Sequence, residues 1–130
     1  MKTLLTIFTL VFTVMFSSAS FAGWTKVTEN SVGDTYYVDF ERIRKHDGYV
    51  YFWRLSDYLK PTTYGWLSAK VYIQGDCKLF RFKALSFSFH KEPMGGGGGD
   101  IPSIPKKHQG WKYPPPESVD ETLLKTVCSR

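Results

Sequence analysis

The chain has 130 residues, 17 per cent of them aromatic, with 17 basic and 12 acidic side chains for a net charge of +5. A chain of that length holds one domain with a single core, which excludes multidomain machinery. The moderate basic excess favours anionic partners such as acidic proteins, glycans or lipopolysaccharide.

The first element is a leader. Met1-Lys2 supplies a positive start, and Leu4 to Phe16 is a run without charge, Gly or Pro. Small residues, Ser20 and Ala22, then precede Gly23 at the spacing of a secretory cleavage site, so residues 1–22 read as a signal peptide cut between Ala22 and Gly23. The apolar run is shorter than the roughly 20 residues that cross a hydrocarbon core, and a retained membrane anchor is the weaker alternative. No Cys follows the cut to carry a lipid. The expected mature domain, 23–130, loses Lys2 and carries one positive charge fewer. No second long apolar run follows, so no membrane span is expected after cleavage, and export disfavours nucleic acid as a partner. The localisation this predicts is the periplasm, the outer surface or the medium.

The mature part reads mostly as strands. Residues 23–29 suggest a short leading strand through Trp24 and Val27. Tyr36, Val38 and Phe40 alternate with Tyr37, Asp39 and Glu41, the period of a half-buried strand. Asp47-Gly48, in the polar stretch from Lys45, is a strong hairpin signal. Tyr49 to Leu59 follows, aromatic on both sides of its first half, and is expected to be central and covered on both faces. After a turn at 60–65, Leu67, Ala69, Val71 and Ile73 give the clearest alternation in the chain. In the stretch 79–90 the apolar phase flips between Ala84 and Leu85, which predicts a bulge there.

Positions 91–116 break the pattern with the run Gly95–Gly99 and scattered prolines, the composition of a flexible loop. A phosphate cradle would need a helix directly after the glycines; Asp100-Ile101-Pro102 stands there instead. Ser118 and Glu121 then fit a capping box, and Val119, Leu123 and Val127 form one stripe of a C-terminal helix over 118–129. Cys128 lies beside that stripe, and Cys77 shares the parity of the apolar strand face. In an oxidising compartment the two cysteines predict one disulfide, Cys77–Cys128. A redox or metal pair is disfavoured because neither a CxxC motif nor a ligand cluster accompanies them. The fold expected is α+β: a single antiparallel sheet of about five to six strands, with one C-terminal helix packed on it and disulfide-linked to it.

Catalytic signals are sparse. His46, His90 and His108 have no metal-ligand spacing and read as surface residues. No nucleophile motif is present, and Asp57, Asp76, Glu92 and Asp100 are not spaced as a catalytic pair. The reading is therefore no catalytic residues, no cofactor and no metal. Most aromatics are expected to fill the core and cross-strand pairs. Tyr37, Tyr49, Tyr64, Trp66 and Tyr72 fall on polar faces or at turns and are the candidates for an exposed interface. Lys106, Lys107 and Lys112 make a local basic spot.

The ordered set Tyr37-Val38-Asp39, Ile43, Gly48-Tyr49-Val50, Trp53 to Tyr58, Asp76-Cys77, Arg81, Trp111, Pro114 to Pro116, Ser118 and Cys128 resembles the surface-adhesin protein E family of Gram-negative bacteria. The resemblance implies a small sheet with a disulfide-tied C-terminal helix, and an exported, non-enzymatic protein that binds host extracellular-matrix or serum proteins. It also implies that members can form a homodimer through the sheet. It supplies no ligand-contact residues, and the family's lipoprotein cysteine is missing here. The alternatives are a periplasmic structural or inhibitor-type protein using a rigid loop at 60–65, and a small enzyme whose site only geometry reveals. An aromatic or basic patch on the face away from the helix would favour the binding protein.

Overall fold

The computed structural model describes residues 23–130; the signal-peptide reading of 1–22 lies outside the described residues. The chain runs β1 (Trp24–Glu29), β2 (Thr35–Asp39), β3 (Arg44–His46), β4 (Tyr49–Asp57), β5 (Ser68–Asp76), β6 (Arg81–His90), β7 (Gly99–Asp100) and α1 (Val119–Cys128). The strands form a seven-stranded sheet in the order β1-β2-β4-β5-β6-β7, with β3 also paired to β4. Every pairing is antiparallel. The architecture is the α+β fold expected, with short β3 and β7 adding to the strands read from the alternation.

β4 is central because two strands share one of its edges. β2 pairs with its second half and β3 with its first. Between them Phe40–Arg42 forms a 3-10 turn, so the strand expected through Glu41 stops at Asp39. Asp47 and Gly48 both have positive φ, 51° and 82°, as a two-residue type I′ hairpin requires. The bulge lies where the phase flips: Tyr72 pairs with Ser86 and Ile73 with Ala84, leaving Leu85 without a partner.

One face of the sheet carries the core. Val38, Val50, Phe52, Val71 and Ile73 meet Leu123, Leu124 and Val127 of α1. Gly75 lies under the helix, where an added Cβ would meet Val50 Cγ2 at 2.9 Å and Leu124 Cδ1 at 3.0 Å, so the glycine lets helix and sheet close. At the helix start Ser118 Oγ accepts from the Glu121 amide at 3.1 Å. Glu121 Oε1 accepts from the Glu117 amide, one residue outside the usual reciprocal partner. Arg54 of β4 forms an ion pair with Asp120 in the first turn. At the other end Cys128 is bonded to Cys77, with their Cα atoms 5.7 Å apart. Beyond the helix, Lys45 Nζ donates to the Arg130 carbonyl at 3.2 Å, and the Arg130 guanidinium lies 4.0 Å from the Phe40 ring centroid. The terminal segment is thus held at both ends.

Candidate functional site

Alternation along β4 to β6 sends a second set of side chains to the face opposite α1. Tyr49, Tyr51 and Trp53 of β4 share it with Lys70, Tyr72 and Gln74 of β5 and with Lys83, Ser86 and Ser88 of β6. The aromatics form a ladder. Trp53 and Tyr72 have ring centroids 4.8 Å apart, and Tyr51 and Tyr72 are 6.3 Å apart. These rings are only half-buried, which corrects the expectation that β4 is covered on both faces. The helix α1 packs on the other side, and here the rings partly bury one another.

The ladder continues at the hairpin end through a cationic cluster. Lys112 exchanges backbone hydrogen bonds with Phe82 at 2.9 and 2.7 Å, which brings the adjacent Trp111 onto the sheet. Trp111 packs on Tyr49 at 5.5 Å, with the Arg81 guanidinium 4.3 Å and the Lys83 ammonium 4.7 Å from its ring centroid. Arg81 is fixed in turn by Asp76, whose Oδ2 accepts from Nε at 2.9 Å. The Leu79 amide donates to Asp76 Oδ1 at 3.1 Å and is the main reason the Asp76 carboxyl sits below its ordinary range; Arg81 adds to it against a burial penalty.

That shift has a testable sign. The folded chain binds this proton less readily than the unfolded one, so the stability involved is complete above the unfolded value near 3.8 and fades as pH falls through the lower folded value. Asp76→Asn is expected to lower the melting temperature at neutral pH and to flatten its decline between about pH 5 and 2. Parallel melting curves for variant and wild type over that range would count against the role assigned to Asp76.

The opposite end of this face is closed by the glycine run. The 3-10 turn Pro93–Gly95 packs on β4 and β5; the Met94 amide donates to Asp57 Oδ1 at 2.8 Å and the Gly95 amide to Ser68 Oγ at 2.8 Å. Leu55, with the parity of this face, is fully buried there. β7 then pairs beside β6, with Gly99 against His90. An added Cβ at Gly99 would lie 2.7 Å from His90 Cε1, so only glycine permits the approach. His90 is 3 % exposed, which corrects the surface reading: its Nε2 shares a hydrogen bond with Ser88 Oγ at 2.8 Å and its Nδ1 with the Gly96 carbonyl at 3.2 Å.

The remaining sequence candidates are dispersed. Tyr37 shares the open face, paired with Leu55. Tyr64 is 80 % exposed in the 60–65 turn, while Trp66 packs on Phe89 at 5.8 Å. His46 is exposed beside Asp47, and His108 lies in the exposed turn Lys106–His108. Among the described residues no group of three or more His, Cys, Asp or Glu converges to hold a metal, and no helix is long and apolar enough to cross a membrane. On the helix side, an apolar cleft of about 400 Å³ lies between Phe82, Phe87 and Phe89 and the segment Pro102–Pro105, with Arg54 and Asp120 at one end. Sequence reasoning misses Trp111, Tyr51 and Trp53 as members of the face. Parity in β4 carries the signal for the latter two; nothing local marks Trp111.

An antiparallel sheet with one disulfide-pinned helix on one face and aromatic and cationic side chains on the other defines a small α+β domain. The chain belongs to the surface-adhesin protein E family, whose pattern it matches over residues 24–129. Its fold is similar to that of Haemophilus influenzae protein E in crystal form II, with a TM-score of 0.65 at 18% identity over 85% of this chain and 90% of that one. Protein E from non-typeable Haemophilus influenzae aligns with a TM-score of 0.60, 18% identity, and coverage of 86% and 79% respectively. No curated protein sequence matches the chain.

Proposed function

We propose that the protein is exported, with cleavage between Ala22 and Gly23, and acts as a non-enzymatic binding protein that recognises a protein or other macromolecular ligand through the open sheet face. The observation that carries this reading is the ladder Trp53, Tyr72 and Tyr51, continued by Tyr49 and Trp111 under Arg81 and Lys83. Large rings and a guanidinium supply most of the binding energy at protein interfaces, because they bury much area with few rotatable bonds. Here neighbouring strands already hold them, so little ordering entropy remains to oppose binding. The basic members suit an acidic patch on the partner. Membership in a family of surface adhesins supports a site of action at the cell exterior.

Two measurements test the reading. Purified domain 23–130 is expected to bind within a panel of immobilised matrix and serum proteins, and a Tyr72→Ser, Trp53→Ser variant to lose at least about tenfold in affinity while keeping its fold by circular dichroism. Unchanged affinity would remove the face from consideration. Protease treatment of intact cells is expected to digest the domain, and protection by the outer membrane would rule out an adhesin role. A second reading rests on the 60–66 turn. It is closed by Thr62 N to Trp66 O at 2.9 Å and Gly65 N to Thr62 O at 2.8 Å, and it presents Tyr64 as an inhibitor-type protein presents a rigid loop.

A further inference from the structure

Asp39 is the one described residue with a buried side-chain oxygen lacking a hydrogen-bond partner. It is 3 % exposed; Arg42 Nε reaches only Oδ2, at 3.5 Å, and Oδ1 is left without a donor. A buried carboxylate oxygen without a donor is costly. Gly23 stands beside it: a Cβ placed on it would lie 2.9 Å from Asp39 Oδ1, 3.3 Å from Cγ and 3.5 Å from Oδ2. The pairing of Trp24 with Asp39 in the β1–β2 ladder holds residue 23 at that position.

We infer that Asp39 is a receptor for the processed chain terminus: the α-ammonium released at Gly23 docks on the orphan carboxylate oxygen. This rests on the export reading, which places the cut before Gly23. In the cleavage, water adds across the Ala22–Gly23 amide. Its hydroxyl goes to the Ala22 carbonyl carbon, a hydrogen goes to the Gly23 nitrogen, and the resulting amine takes a proton from solvent. A neutral amide with one N–H becomes a cation with three, one bond from the α-carbon whose Cβ direction faces the carboxylate. The φ of +80° at Gly23 also ceases to be a constraint, since φ is defined through the residue removed. Glycine fits because any side chain would occupy the space the carboxylate fills. Processing thereby completes an ion pair that the precursor lacks and fastens the edge strand β1, so that the domain reaches full stability only after its leader is gone.

The test is a cycle of four purified proteins with defined termini: Gly23 first or Ala22 retained, each with the native Asp39 or with the Asp39→Asn substitution. Retaining Ala22 is expected to lower the melting temperature by about 5 °C with Asp39 present and by less than about 1 °C in the Asp39→Asn background. Equal shifts in the two backgrounds would overturn the pairing. Should the two Asp39→Asn proteins fail to fold, acylation of wild type at neutral pH gives the answer instead. The Gly23 amine is expected to react at least about tenfold more slowly than that of a Gly-Trp-Thr peptide, whose α-amine titrates near 7.7–8.0; equal rates overturn the pairing. N-terminal sequencing of exported protein reads the cleavage separately. Gly23 is expected first, and any other first residue overturns Asp39 as receptor for the natural terminus even where the cycle shows coupling.

Discussion

Replacing Cys77 and Cys128 together by alanine is expected to reduce unfolding free energy by about 4 kcal/mol, the chain-entropy value for the observed separation of 51 residues. For a domain of this size such a loss lowers the melting temperature by about 15–25 °C. The helix explains why the consequence is large. α1 spans 10 residues, below the length at which an isolated helix persists in water, so it exists through its attachments. Leu123, Leu124 and Val127 hold it by burial, the Ser118 cap closes its start, and the bridge fixes its end. Once the bridge is cut, the end of the helix still has the burial of Val127 and, beyond it, the contacts of Arg130 with Lys45 and Phe40. Thermal melts followed by circular dichroism check this. Reductant should bring wild type down to the double variant and leave the variant unmoved. A loss under about 1 kcal/mol would mean that burial alone holds the helix.

The features that could be read in advance are those written locally. Asp47-Gly48 specifies a hairpin because its two residues accept positive φ, and the phase flip at Ala84-Leu85 marks a bulge because period-two alternation has nowhere else to absorb an extra residue. Ser118 and Glu121 announce the helix start within four positions. The site was legible only in part. Alternation in β4 distributes aromatics to both faces, but it does not say which face receives the helix, and so Tyr51 and Trp53 read as core. Trp111 reaches the sheet through a backbone bridge from Lys112 to Phe82, a contact between distant segments that no pattern in 91–116 encodes. His90 reads as a polar strand end, and its burial depends on Gly99 crossing its ring. For Trp111 and His90 the missing information is the path of a loop, set by packing between distant segments.

Neighbouring residues of β4 should therefore separate stability from recognition. Phe52 is 1 % exposed, with its ring against Leu124 and the cleared space at Gly75. Phe52→Ala is expected to cost about 3–5 kcal/mol, because lost transfer energy is joined by a cavity that helix and sheet cannot collapse to fill. Tyr51 and Trp53, one position to either side, stand on the other face and lose mainly their cross-strand pairing with Tyr72. Alanine at either should cost about 1 kcal/mol, the scale of a half-buried aromatic pair. Urea titrations of the three variants give the stabilities directly, and the same proteins on immobilised partner give the affinities. Phe52→Ala, assayed where it is still folded, should bind as wild type does, since its side chain never reaches the open face. Trp53→Ala should remain folded and bind weakly. If instead Trp53→Ala proved as destabilising as Phe52→Ala, the outer rings would be a second core, and the surface assigned to the ligand would have to be sought elsewhere, first at the cleft beside Phe87 and Phe89.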